Sequence, residues 1–346
     1  MKRFLIPESG QFYKANLHSH STVSDGTLTP AQMKELYKRH GYSVLSCTDH
    51  ELMVPHHDLT DADFVMLTGF ELGFDERWRT DFLQAKVCDL CLIAIDPDNV
   101  LQPCYHRTKY IPDDRRAWVK YDEQEPDFER EYNPDCINEA IRICRKKGFF
   151  VTYNHPHWSL ERYETYTKYK GMHAMEICNF SSLIDGYNEY NGDVYDDLLH
   201  QDKRIFALGT DDNHNRRDPN CRMWDSFGAF TMIKAERLEY RCVTDALVKG
   251  HFYASQGPTF SRITLENGIL SADFSPVVEA VGMVRQCCGY CANVEDFEGP
   301  GSENREITHL EVDLTKMRHA ASPDYFRIQL RDKAGRMAWS NPVFLP

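Results

Sequence analysis

The chain has 346 residues, of which 42% are hydrophobic, 12% aromatic and 27% charged. That supplies enough apolar surface for a large core, by length alone in about two domains, and it excludes a disordered chain. A formal charge of −13 repels a phosphodiester backbone, which argues against long nucleic acid as a partner. It leaves a small phosphorylated substrate open, because metal ions can supply local positive charge.

No apolar stretch approaches the length of a membrane span, so no membrane partner is expected. The start Met1-Lys2-Arg3-Phe4-Leu5-Ile6 is basic and apolar, but Pro7, Glu8 and Ser9 end the run too early for a signal peptide. A cytoplasmic location is therefore expected. The 12 cysteines are scattered along a chain that is not a short secreted scaffold, which fits the same reading.

In chain order, residues 13–17 read as a strand running into His18. Thr29 follows as an N-cap, with Pro30 at the first helical position. Met33, Leu36, Tyr37 and His40 then recur at helical spacing, and Gly41 is the stop. Residues 42–47 form the next strand, ending at Thr48-Asp49-His50. Residues 64–70 form a third, ending at Glu71, and residues 87–95 a fourth. The stretch 96–133 is charge-rich, has little periodicity and reads as a long surface excursion.

Asn133 and Pro134 start another helix, with Ile137, Ala140, Ile141 and Cys144 on one apolar face before Gly148. Strands 149–153, 173–178 and 204–208 follow; the first ends at Asn154-His155 and the last runs into Gly209-Thr210-Asp211-Asp212-Asn213-His214. Such alternation predicts an α/β fold of parallel strands with helical crossovers. After Gly257-Pro258 the pattern changes to short alternating runs separated by turns such as Glu266-Asn267-Gly268. Residues 258–346 therefore read as a small antiparallel β domain behind a first domain over 1–257.

The polar residues fall where barrels of this kind keep their chemistry. His18, His50, Glu71, His155 and Asp212 each lie at or just beyond the end of an expected strand, on one rim. His18 and His20 are two apart, so on a strand they project to one face and can share an ion. Asp25 sits in a turn five residues past His20 and can fold back over that rim. Glu71 has two oxygens with which to bridge two ions. Asp212 and His214 repeat the two-residue spacing. His, Asp and Glu without a thiolate point to two or three divalent ions, not to a structural zinc.

His18-Ser19-His20, Ser24-Asp25-Gly26, Thr48-Asp49-His50, Glu71, Asn154-His155-Pro156 and Asp212-Asn213-His214 together resemble the PHP (polymerase and histidinol phosphatase) superfamily of metal-dependent phosphoesterases. The resemblance covers roughly residues 12–255. It implies a distorted (β/α)7 barrel followed by a small all-β domain, and two or three bound Zn, Mn or Fe ions. His18, His20, Asp25, His50, Glu71, His155, Asp212 and His214 match metal-ligand positions. In one departure, Asp89 stands where many relatives carry a further histidine, which bears on the third ion.

The implied reaction is hydrolysis of a phosphate ester in a small molecule by a metal-bridged hydroxide. Asp49, His157 and Asp211 are candidates to protonate the leaving oxygen. Arg216 and Arg217 are candidates to grip the phosphate as bidentate donors. Alternatives are a nucleotide phosphatase or nuclease of the same superfamily, a non-catalytic metal- or carbohydrate-binding module, and an amidohydrolase, whose lysine and histidine spacing is not seen. His56-His57 reads as a surface pair. Cys88 and Cys91 read as buried thiols on opposite faces of a strand, and the Cys287-Cys288-Cys291 group as either incidental or a metal site.

Overall fold

The structure, a computed structural model, describes residues 2–76, 86–284, 290–291, 306–316 and 325–344, the pair 290–291 by backbone alone. The chain opens with β1 (Arg3–Phe4) and β2 (Gln11–Asn16), then forms helix α1 (Pro30–Arg39). Thr29 caps it reciprocally: its hydroxyl accepts from the Gln32 amide at 3.2 Å, and Gln32 Oε1 accepts from the Thr29 amide at 2.9 Å. Met33 and Tyr37 form its buried face.

Next come β3 (Val44–Cys47), β4 (Val65–Asp75) and β5 (Val87–Ala94). Helix α2 (Pro134–Lys146) is capped by the Asn133 side chain and buries Ile137, Ala140, Ile141 and Cys144. The remaining α/β elements are β6 (Phe149–Tyr153), α3 (Tyr163–Tyr166), β7 (Ala174–Asn179), α4 (Phe180–Ile184), α5 (Gly192–His200), β8 (Phe206–Thr210), β9 (Phe230–Ala235), α6 (Tyr240–Lys249) and β10 (Phe252–Ser255). No helix among the described residues is long and apolar enough to cross a membrane.

The strands β2 to β8 lie side by side in chain order. Pairing is parallel from β2 through β4 and from β6 through β8. The expectation of parallel strands fails at β5, which runs antiparallel to both β4 and β6. The connection from β4 to β5 is shorter than the dozen or more residues a parallel crossover takes. At that end of the antiparallel pair the Glu76 amide meets Lys86 O at 3.0 Å. Beyond β8 the chain returns to the segment beyond β2. Ser19 and Asn213 form a parallel bridge, the Asp212 amide donates to His18 O, and the His20 amide donates to Asn213 O, both at 2.9 Å.

The excursion after β5, together with α2, leaves and returns at one point, where the Ile95 amide meets Gly148 O at 2.9 Å. It is not a bare surface loop. Tyr105, Ile111 and Val119 form a small core with Val23 and Leu52. Arg130 is buried against Glu51 and donates to Gly73 O at 3.0 Å.

The C-terminal part holds β11 (Phe260–Glu266), β12 (Ile269–Val277), β13 (Glu279–Val284), β14 (Tyr290–Cys291), β15 (Ile307–Asp313), β16 (Tyr325–Arg331), β17 (Met337–Ser340) and β18 (Val343–Phe344). All pair antiparallel. Two features tie this part to the rest of the chain. First, β17 pairs with β10, so β13, β16 and β17 extend the large sheet. Second, β1 joins β11, β12 and β15 in a four-stranded sheet. Arg3 and Phe4 thus stand beside Leu265 and Thr264 of the C-terminal part.

This junction carries a buried charge. Arg327 is 0% exposed, and its guanidinium binds both oxygens of Asp196 at 2.9 and 2.7 Å. Beside it Tyr190 stacks on Trp339 with ring centroids 5.4 Å apart. Removing one partner of such a pair leaves an uncompensated buried ion. Asp196→Ala is therefore expected to lower unfolding free energy by about 3 kcal/mol, read as the urea midpoint shift; a change within error would show that the pair does not hold the junction.

Candidate metal centre

The strands β2 to β6 and β8 each lead a residue to one rim. β2 runs on into His18 and His20, and β3 runs on into His50, which bridges to Glu71 of β4. β5 enters with Asp89 near its start rather than its end, because it is the reversed strand and its first residues lie at the rim. β6 leads to His155 and β8 to Asp212 and His214. His155 and Asp212 hold positive φ angles of 28° and 53°. Such backbone is costly for residues with a Cβ and is often kept at functional sites.

Asp25 is brought in by the Ser24-Asp25-Gly26 turn. A Cβ on Gly26 would sit 2.2 Å from His20 O, so only glycine lets the turn come so close. The turn is tied from two sides. Asp49 accepts from the amides of Ser21 and Ser24 at 2.8 and 3.0 Å. Arg115, from the excursion, donates to Val23 O and Ser24 O at 2.7 and 2.6 Å.

The donor atoms form three adjoining groups. His18 Nε2, His20 Nε2 and Asp212 Oδ1 lie 2.9–3.1 Å from one another. His155 Nε2 lies 3.2 Å from Glu71 Oε1, 4.0 Å from Asp89 Oδ2 and 3.8 Å from Asp212 Oδ2. Asp25 Oδ1 lies 3.4 Å from His214 Nε2, 3.8 Å from His50 Nε2 and 3.9 Å from His20 Nδ1. Glu71 joins the groups: one oxygen is 3.2 Å from His18 Nε2, and the other is 2.9 Å from His50 Nδ1.

This donor set fits divalent cations. Two imidazole nitrogens aimed at each other across 3.1 Å repel unless a proton or a cation lies between them. His20 Nδ1 is buried and has no hydrogen-bond partner, a cost that coordination removes. The protonation balance shows the same tension. Burial, then His214 and His50, push His20 down to about 3. Burial also works against charge on His50, yet Glu71, Asp25 and Asp89 outweigh it and push it up to about 10. Burial, reinforced by Glu71, lifts Asp89 to about 8.

Glu176 is a site residue that the sequence reading passed over. It is 1% exposed in the middle of β7. One oxygen lies 2.7 Å from His18 Nδ1 and accepts from Thr210 at 2.7 Å. The other accepts from the His155 amide and from Asn179, both at 2.9 Å. It fixes the ring of His18 from behind, the place where carboxylates orient metal-binding histidines. Its signal was a lone acid inside an apolar strand, a residue that has to be partnered if buried.

The residues chosen for proton transfer lie elsewhere. The Asp49 carboxylate is spent on the Ser21–Ser24 turn. Asp211 is 0% exposed and accepts from Tyr37 at 2.8 Å and from the amides of Phe227, Gly228 and Ala229 at 2.9–3.1 Å. Each neighbours a rim residue, and its carboxylate is turned into these backbone hydrogen bonds instead of the cavity. His157 pairs with Asp193 at 3.0 Å. None of the three lines the cavity over the donor groups, which measures about 510 Å³. Arg216 and Arg217 do line it, but Arg216 already pairs with Asp25.

His57 bonds to Thr68 at 2.6 Å, away from the rim. Cys88 and Cys91 are both buried. Cys91 faces the floor of the site, where Asn154 donates to its sulfur at 3.0 Å, and burial holds it as a thiol by pushing it up to about 12. Cys287 and Cys288 lie outside the described residues, as does the side chain of Cys291.

No protein-family model and no curated protein matches the chain. Several solved structures are similar to it, including these two. One is a two-domain protein from Bacteroides vulgatus, named as containing a predicted PHP-like metal-dependent phosphoesterase. It shows 12% identity and a TM-score of 0.46 over 99% of this chain and 98% of that one. The other is from Bifidobacterium adolescentis, named as a metal-dependent phosphoesterase. It shows 14% identity and a TM-score of 0.38 over 62% of this chain and 91% of that one. At such scores neither likeness carries an argument about activity, which rests on the geometry.

Two outcomes are expected. Glu176→Gln weakens the hold on His18, and divalent-metal affinity in a chelator titration falls about 10- to 100-fold; unchanged affinity would remove Glu176 from the site. The second concerns the loop after His155, which is anchored by Glu161. Its carboxylate accepts from Tyr132 at 2.7 Å, from Tyr153 at 2.5 Å and from Tyr169. Burial pushes Glu161 from the ordinary 4.5 up to about 7, against the pull of these phenols. Between those values the folded chain keeps a proton that the unfolded chain has lost, so stability falls as pH rises through that window. Glu161→Gln is expected to remove this fall; identical pH profiles of the urea midpoint for both proteins would refute it.

Proposed function

We propose that the chain is a metal-dependent phosphoesterase of the PHP kind, hydrolysing a phosphate ester of a small molecule. In this reading β2 to β8 form a seven-stranded barrel closed at the rim by the Ser19–Asn213 bridge. The observation that carries it is the convergence of His18, His20, Asp25, His50, Glu71, Asp89, His155, Asp212 and His214 on one rim, with donor atoms of adjoining groups 2.9–4.0 Å apart. Nine donors exceed what one divalent ion takes, so two or three fit.

His18, His20 and Asp212 would hold one ion, and Glu71, Asp89 and His155 a second. Asp25, His50 and His214, with the other nitrogen of His20, would hold a third. Bound there, such ions supply a nucleophile from water near neutral pH and charge for phosphate oxygens. The chain itself supplies orientation and exclusion of water. Glu176 and Ser159 fix the rings of His18 and His155, the latter through a 2.9 Å contact to Nδ1. Arg217 stands in the cavity wall, placed to meet a phosphate oxygen as a planar donor. Arg216 joins it only by leaving Asp25. A cavity of about 510 Å³ suits a small molecule.

Purified protein is expected to carry zinc, manganese or iron, and to release phosphate from a panel of phosphomonoesters and diesters. His50→Ala and Glu71→Ala should each lose metal and reduce turnover by about 100-fold or more. Full metal content in both variants would overturn the ligand assignment. No bound metal and no turnover with any ion would overturn the reaction.

A further inference from the structure

The cavity extends past the donor groups, and its volume is far more than a phosphate group fills. Beyond the donors its wall carries Trp158, Ile184 and Met223 beside the polar Ser181, Ser182 and Asp185. Trp158 is 37% exposed, yet it is held on two sides. Its Nε1 donates to Asp185 Oδ2 at 3.0 Å. Its ring lies edge-to-face against the His155 imidazole, with centroids 5.1 Å apart and planes at 75°. A large ring fixed in place and left open to a cavity offers contact area at little entropic cost.

Position gives this ring a role. A phosphate held at the Glu71–His155 group has to send its ester oxygen out through the cavity, and the indole lies directly beside His155 on the cavity wall. A small polyol would gain little from the face of the indole, whose one polar atom, Nε1, is already spent on Asp185. A flat ring gains stacking and burial.

We propose that Trp158 forms a leaving-group subsite and that the alcohol part of the substrate carries a planar ring packed on this indole. The inference rests on the phosphoesterase reading above and adds the substrate class. It makes Trp158 a specificity-determining residue that touches the substrate but not the reacting bond.

Non-hydrolysable phosphonates test it apart from turnover. Phenylphosphonate and methylphosphonate present the same head group to the ions and differ in the ring. Calorimetric titration of the manganese-loaded full chain is expected to show phenylphosphonate binding roughly tenfold tighter. Trp158→Ala should erase that preference and leave methylphosphonate affinity unchanged, and Trp158→Phe should restore most of it. Equal affinities in the unaltered chain, or a preference that survives in Trp158→Ala, would overturn the subsite alone. So would loss of methylphosphonate affinity in Trp158→Ala, which would assign the indole to positioning His155. Binding of neither phosphonate would overturn the subsite together with the phosphate reading.

Discussion

Glu71 lies buried among four imidazoles, and much of the molecule serves to keep it there. Its oxygens are 3.2 Å from His18 and His155, 2.9 Å from His50 and 3.5 Å from His20. A carboxylate taken out of water is tolerated only where opposite charge surrounds it. Burial alone would raise its pKa, and His18 and His50, followed by His155, instead hold it well below the usual carboxylate range. The imidazoles depend on it in return, since Asp212, Cys91, Glu71 and Glu176 outweigh burial at His18 and raise its pKa. Acid and histidine thus stabilise each other, and a divalent ion can replace the shared protons.

A second set of acids binds backbone amides and so sets the shape of the cavity. Asp49 holds the turn that carries Asp25. Asp225 accepts from the amides of His214 and Asn215 at 2.7 and 3.1 Å. Asp211 pins residues 227–229, and Glu176 backs His18. Each accepts two or more hydrogen bonds, so each serves as a fixed point of backbone geometry. Much of the negative charge near the rim therefore works on loops, which is why residue type alone does not separate ligands from supports.

The sequence made the rim legible through position. His18, His50, Glu71, His155 and Asp212 follow apolar runs, and the structure brings them together. α1 and α2 were readable from Thr29 and Asn133, whose caps form in the structure. Three things were hidden. The direction of β5 depends on the length of a connection, not on the pattern of the strand. Asp49 and Asp211 adjoin His50 and Asp212, and a one-residue offset decides which side chain meets the cavity. Glu176 was hidden because its apolar neighbours spell a strand and only the folded packing supplies its partners. In the C-terminal part, alternation revealed β11, β12, β15 and β16, but pairings such as β1 with β11 join residues too far apart for local pattern to show.

The closed base of the excursion has a consequence for change over time. Because Ile95 and Gly148 already meet through the backbone, the excursion and α2 form one closed loop on β5 and β6, fastened in the core by Ile137, Ala140, Ile141 and Cys144 of α2. Loop-closure entropy grows only slowly with length, so the exposed parts of this loop can be lengthened or shortened while β5 and β6 keep their register. Yet the same segment reaches the Asp25 turn through Arg115. Variation here would retune one edge of the metal cluster without redesigning the sheet that supports the rest.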